Sequence, residues 1–336
     1  MAITTTHKQV GEVASSRRGK PRTSRAEMRE TIWGYLFLLP TIMLILVFGV
    51  YPQLGSIRYA LYNWDGIGVP TQFVGLRHII GVATDPLFWN AYRHTLIYTV
   101  ALVLIQLPLA LMLALILNNP KLRINSFYRA LFFLPALTTT SVVAVVISLL
   151  SARVSANFPD WLVRLGLVHP DLGLLNDPNL TLPLVILFGI WHGFGYNLVY
   201  FLAALQTVPA ELYEAARIDG AGPLGRFWYV TIPMIRPVGA IILLLATFGS
   251  IGVFDSVWVL TQGGPLYASD VVSTYIYRNA FSATVGPENY GLASGAALFF
   301  SLTLFAFSGL NLFMMVRLRR QQRELGESAA TTAPAA

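Results

Sequence analysis

The sequence predicts an all-α integral membrane protein, a bundle of six transmembrane helices. Three observations carry that prediction. The chain of 336 residues is 55% hydrophobic and only 12% charged, with a mean hydropathy of +0.61; soluble domains carry about twice that charge fraction. Its apolar residues gather in blocks, several of them long enough for the ~20 residues that cross ~30 Å of hydrocarbon. No ten-residue segments of alternating hydropathy appear, which argues against a β-barrel. The absence of cysteine excludes disulfides and thiol chemistry.

In chain order, residues 1–31 are polar and basic and read as a cytoplasmic, mobile tail. The first span, about residues 32–51, follows without a convincing cleavage site and contains Pro40, a possible kink. Residues 52–88 are loop-like, with Trp64-Asp65-Gly66 and Phe73–Leu76. The second span is about 91–117, closed by Asn118-Asn119-Pro120, and a short loop with Lys121, Arg123 and Arg129 leads to the third at about 130–150. A second polar loop carries an amphipathic piece at Trp161–Leu167. The fourth span is about 184–207 and the fifth about 238–260, with a polar stretch, 208–237, between them. A loop carrying Tyr275 to Phe281 precedes the sixth span at about 291–316, and the tail 317–336 ends in an Ala/Thr-rich stretch expected to be disordered.

Six spans put both termini on one side. Of the 23 Lys and Arg, 17 fall in the two tails, the 118–129 loop and the 208–237 stretch, which places all four in the cytoplasm. The net charge of +7 is thereby a topology signal, and no nucleic-acid partner is expected.

The 208–237 stretch is longer than a connector needs. Pro209 suits a helix start, with Glu211 and Glu214 in the first turn against the positive end of the helix dipole. Ala215, Ala216 and Arg217 continue it, and Asp219-Gly220 ends it, since Gly220 and Gly222 accept left-handed backbone. Pro223 opens a second helix ending before Pro233. Such a helix–turn–helix with small residues lets another surface approach closely; spacing alone equally allows a plain interfacial connector.

Polar groups inside spans face a cavity or another helix. On the fourth span His192, Gly193, Tyr196, Asn197 and Tyr200 fall within an arc of about 140° at 3.6 residues per turn. On the fifth, Thr247, Ser250, Phe254, Asp255, Trp258 and Gln262 share a similar arc. Aromatic faces and hydrogen-bonding groups together suit a sugar, though the same residue types also hold helices together. The five histidines, His7, His78, His94, His169 and His192, are dispersed, so no metal site is expected.

Glu214-Ala215-Ala216, followed after three residues by Gly220 and later by Val230-Thr231-Ile232-Pro233, resembles the EAA loop of ABC-type import permeases. GYLFLLP at Gly34–Pro40, NWDG at Asn63–Gly66, FVGL at Phe73–Leu76, DPLFWNA at Asp85–Ala91, HTLIYT at His94–Thr99, RALFFLP at Arg129–Pro135 and FDSVWVLTQGGP at Phe254–Pro265 resemble the carbohydrate-importing branch, of the maltose and glycerol-phosphate permease type. The resemblance runs from about Gly34 to Arg320. It implies the type I ABC importer permease fold in a bacterial or archaeal cytoplasmic membrane, and a non-catalytic subunit forming half of a sugar pathway. It implies that Glu211, Glu214, Ala215, Ala216, Arg217, Asp219 and Gly220 couple to an ATPase. It implies that His192, Gly193, Tyr196, Asn197, Ser250, Phe254 and Asp255 line the substrate path. The implied partners are a second permease subunit, expected to be a different chain, two ATPase subunits, an extracytoplasmic sugar-binding protein and membrane lipid. No cofactor is expected in this chain, which has no Gly-x-x-x-x-Gly-Lys-Ser/Thr; ATP and Mg belong to the partner ATPase. The alternative is an ion-coupled secondary transporter, for which Asp255 is the one clear acid inside a predicted span.

Overall fold

In a computed structural model of the chain, residues 25–119, 125–154, 174–281 and 289–332 are described. The basic tail up to residue 24, Lys121 and Arg123 of the basic loop, and the amphipathic piece Trp161–Leu167 lie outside the described residues. The chain forms two compact units, Met1–Gly55 and Ser56–Ala336.

Helix α1 is Arg25–Leu44, followed by a π-turn at Ile45–Val50 and α2, Tyr51–Ala60. The first apolar helix therefore runs on to Ala60, past the expected end at Tyr51. A two-residue hairpin, β1 (Tyr62–Asn63) with β2 (Gln72–Phe73), pairs Tyr62 with Phe73. Helix α3 is Arg77–Thr84, where a loop was expected; α4 is Pro86–Ala101, a π-turn covers Leu102–Gln106, and α5 is Leu107–Leu117. This second span starts earlier than expected because Asp85 caps it, accepting from the Leu87 amide at 2.8 Å, with Pro86 at the first helical position.

The expected third span is two helices, α6 (Asn125–Leu137) and α7 (Thr140–Val154), bent by 89° at the break. Pro135 accounts for part of this. The Thr138 hydroxyl donates to the Pro135 carbonyl at 2.6 Å, competing with helix continuation. Helix α8 is Thr181–Gln206, α9 is Ala210–Ile218 and α10 is Pro223–Arg226. A π-turn, Phe227–Thr231, leads straight into α11, Ile232–Ile251. The second helix of the 208–237 stretch thus does not end before Pro233 but continues into the next span. That span stops at Ile251, and Asp255 opens a separate short helix, α12, Asp255–Thr261. Helix α13, Val272–Phe281, replaces the expected loop, and α14 runs from Tyr290 to Thr332, well past Val316 and through most of the stretch expected to be disordered. Among the described residues five helices are long and apolar enough to cross a membrane, and the bent α6–α7 pair makes a sixth if it counts as one crossing.

The three π-turns among the described residues sit just ahead of a proline, at Pro52, Pro108 and Pro233. Proline lacks an amide hydrogen and its ring collides with the carbonyl four residues back. Widening the preceding turn relieves that collision without ending the helix.

Within the second unit α8 is central. Its Leu198, Phe201, Leu202 and Leu205 pack with Leu107, Ala110 and Ala114 of α5 and with Ile235 and Ile242 of α11. On another face Gly195 meets α6 backbone to backbone: a Cβ there would lie 2.8 Å from the Phe132 carbonyl oxygen. Small residues at such crossings allow the close packing that drives helix association in lipid.

The segment after α12 is tied down by buried polar groups. Asp270 is fully buried and forms a two-pronged ion pair with Arg278, at 2.6 and 3.0 Å. The Thr274 hydroxyl donates to the same carboxylate, and the guanidinium lies over the Tyr267 ring at 4.5 Å. Helix α4 holds this segment from the side: His94 Nδ1 donates to the Asp270 carbonyl, Asn90 to that of Tyr267, and Thr95 accepts from the Val272 amide. Tyr275 donates to Asp85 at 2.5 Å, and burial, with that carboxylate beside it, raises the phenol well above its usual range. Gln262 is left-handed, as is Gly263, where a Cβ would press on the Asp270 carboxylate; the Gly264–Pro265 peptide is cis.

Removing one member of a buried ion pair leaves an uncompensated charge, at a cost of about 3–5 kcal/mol. Arg278→Met is therefore expected to lower the temperature at which the detergent-solubilised protein unfolds. The double variant Asp270→Leu/Arg278→Met should recover most of that loss. A single variant as stable as wild type contradicts the role given to the pair.

Candidate functional site

Helices α8, α11 and α12, with residues of α4, the π-turn after it and α7, border an open cavity of about 540 Å³. All seven residues expected to line a path, His192, Gly193, Tyr196, Asn197, Ser250, Phe254 and Asp255, border it. The arc proposed for the fifth span does not survive, because the helix breaks at Gly252-Val253-Phe254. Thr247, Trp258 and Gln262 do not line the cavity. Thr247 donates to its own helix, Trp258 stacks on Phe254 at 5.9 Å, and Gln262 is the left-handed cap of α12.

Two of the lining residues bond to the break between α6 and α7. Across the α6–α7 break a continuous helix would have paired the carbonyls of Ala136 and Thr138. Instead the Tyr196 hydroxyl donates to the Ala136 carbonyl at 2.6 Å, and His192 Nε2 donates to that of Thr138 at 3.2 Å. A carbonyl only accepts, so Nε2 carries hydrogen. Tyr196 and His192 therefore offer the cavity ring faces rather than free donors. Ser250 donates to Thr247 in its own helix. Asn197, by contrast, makes no side-chain hydrogen bond to any described residue, and neither does the Tyr200 hydroxyl; both line the cavity.

Sequence reasoning missed Tyr98, Gln106 and Thr140, which line the same cavity. Gln106 is buried and donates to the Ile190 carbonyl, running past Gly193 so closely that a Cβ there would fall 2.7 Å from its nitrogen. A lone polar residue in an apolar block was the available signal.

At the 208–237 stretch Glu211 is in the first turn of α9, while Glu214 comes one turn later. Gly220 is left-handed at φ 81°; Gly222 is extended. The Ala221 amide reaches the Ala216 carbonyl at 2.8 Å and the Gly220 amide that of Arg217 at 3.1 Å, the paired bonds of a Schellman cap. Glu211, Glu214, Ala215, Arg217, Asp219 and Gly220 are exposed, and Ala216 is half-buried. Flanking them, Ile218, Leu224 and Tyr229 are exposed at 87%, 70% and 84%, an apolar rim not anticipated from sequence. Thr231 donates to the Arg226 carbonyl, so Tyr213 donates to Thr231, anchoring α9 to the root of α11.

A helical membrane bundle with a polar and aromatic cavity has the form of a solute-transport subunit. Residues 106–323 match the family described as binding-protein-dependent transport system inner membrane component. The lactose transport system permease protein LacF of Rhizobium radiobacter is 37% identical over 77% of this chain and 87% of that protein. The trehalose/maltose transport system permease protein MalF of Thermococcus litoralis is 30% identical over 85% of this chain and 94% of that protein. A chain of the bacterial alginate ABC transporter, solved in complex with an alginate pentasaccharide-bound periplasmic protein, superposes with a TM-score of 0.72. It is 25% identical over 87% of this chain and 97% of that chain. The chain belongs to this family and is a permease subunit of a binding-protein-dependent ABC transport system. The ion-coupled alternative finds no support among these relatives, which are permease components of binding-protein-dependent and ABC transport systems.

Tyr196→Phe removes the donor at the Ala136 carbonyl and is expected to destabilise the protein by about 1 kcal/mol, read as a lower unfolding temperature. Asn197→Ala removes no such bond and should leave that temperature within error of wild type.

Proposed function

We propose that this chain forms half of the transmembrane pathway of an ATP-driven importer of sugars, oligosaccharides or sugar derivatives. The observation that carries the reading is the cavity between α8, α11 and α12, where ring faces of Tyr196, Tyr200 and Phe254 stand beside the free amide of Asn197. Stacked rings against C–H faces and hydrogen bonds to hydroxyls are the chemistry of saccharide recognition. The names of its relatives, carriers of lactose and of trehalose or maltose, support the same class.

The chain spans the membrane six times, with α6 and α7 as one bent crossing and both termini in the cytoplasm, as the distribution of Lys and Arg supports. Residues 1–31 and 317–336 are cytoplasmic tails flanking the permease domain 32–316. Helix α9, with Glu211, Glu214, Ala215, Ala216, Arg217, Asp219 and Gly220, docks on a separate ATPase subunit. The rim of Ile218, Leu224 and Tyr229 supports a protein partner there, since exposed apolar patches mark interaction sites. Two such ATPases bind ATP and Mg, and a second permease, a different chain, completes the pathway. An extracytoplasmic sugar-binding protein delivers the solute. ATP binding draws the coupling helices together and turns the pathway outward; hydrolysis resets it.

Glu214→Lys and Gly220→Leu should leave the protein in the membrane while ATP-dependent uptake falls by about tenfold or more, a loss of at least ~1.4 kcal/mol of coupling. Normal uptake by both removes the docking assignment. Tyr196→Ala and Ser250→Phe, matched for expression, should each lower uptake; unchanged affinity and rate in both would remove the path assignment.

A further inference from the structure

We propose that the cavity admits uncharged saccharides and that Asp255 excludes anionic ones, an inference that rests on the sugar-path reading above. Among the described residues no lysine or arginine lines the cavity, and the one charged side chain on it is the Asp255 carboxylate. Asp255 is exposed and makes no hydrogen bond or ion pair with any described residue. Among the described residues the one salt bridge is Arg278 with Asp270, buried and already matched charge for charge. Binding a carboxylate or phosphate calls for a cation, most effectively the fork of an arginine. A lone carboxylate does the reverse, repelling an anion beside it, and because Asp255 is exposed that repulsion weakens as salt is raised.

Asp255 also stands in the first turn of α12, where an acid favours the helix dipole. Asparagine serves that end of a helix comparably well, so Asp255→Asn separates charge exclusion from a merely structural role.

The test is equilibrium binding to the purified, assembled transporter without its binding protein. The probes are lactose, maltose and trehalose, each beside the uronate in which one hydroxymethyl is oxidised to a carboxylate. In wild type the best neutral sugar should bind about tenfold or more tightly than its uronate, as like-charge juxtaposition demands. Asp255→Asn should narrow that ratio to about threefold, and raised salt should narrow it in wild type too. A uronate bound as tightly as its parent, or a ratio unmoved by Asp255→Asn and by salt, overturns the proposal while leaving the sugar path intact. If no probe binds and ATP drives uptake of no sugar, the sugar-path reading itself falls.

Discussion

Hydrocarbon offers no hydrogen bonds, so each peptide group that crosses the bilayer must find its partner inside the protein. Among the described residues several departures from straight helix meet that demand in another way. Three prolines are absorbed by π-turns that keep the helix going. The break between α6 and α7 exposes carbonyls, and the neighbouring helix supplies Tyr196 and His192 as donors. The close approach of α8 to α6 at Gly195 brings those donors within reach. Without a glycine there, the two backbones could not stand near enough for the side chains to bridge the break.

The same constraint joins the cavity to the cytoplasmic loop. Helix α9 is capped by the left-handed Gly220 and fastened through Tyr213 to Thr231. From Pro223 the helix continues through its π-turn to Ile251, beside Ser250 on the cavity wall. Had Pro233 ended the helix, as its chemistry in water suggests, a flexible joint would separate the loop from the wall. Beyond Ile251 the chain does break, and there Phe254 and Asp255 turn toward the cavity.

Much of this was legible in the sequence. The apolar blocks located five of the long helices, and the two polar stripes named residues that share one cavity, because helical periodicity needs only one helix to work. It failed where it assumed a helix that does not exist: the stripe from Thr247 to Gln262 runs across a break, so Trp258 and Gln262 were wrongly grouped with Ser250. The third span looked like one apolar block, since composition does not reveal an 89° bend. Helix α13 was hidden because its stability comes from Asp270, Arg278 and Tyr275 meeting residues of α4 and the loop before it, contacts between residues as far as 190 positions apart. Gln106 went unnoticed as a single polar residue among leucines.

The double duty of Tyr196 and His192 limits how this permease can diverge. A substitution at either position changes the cavity and at once strips a donor from the break between α6 and α7. Asn197 and Tyr200 carry no such structural bond. Adaptation to a new solute therefore has an easy route and a hard one on the same face of the same helix: drift is tolerated at 197 and 200, whereas change at 192 or 196 requires a compensating mutation near Thr138.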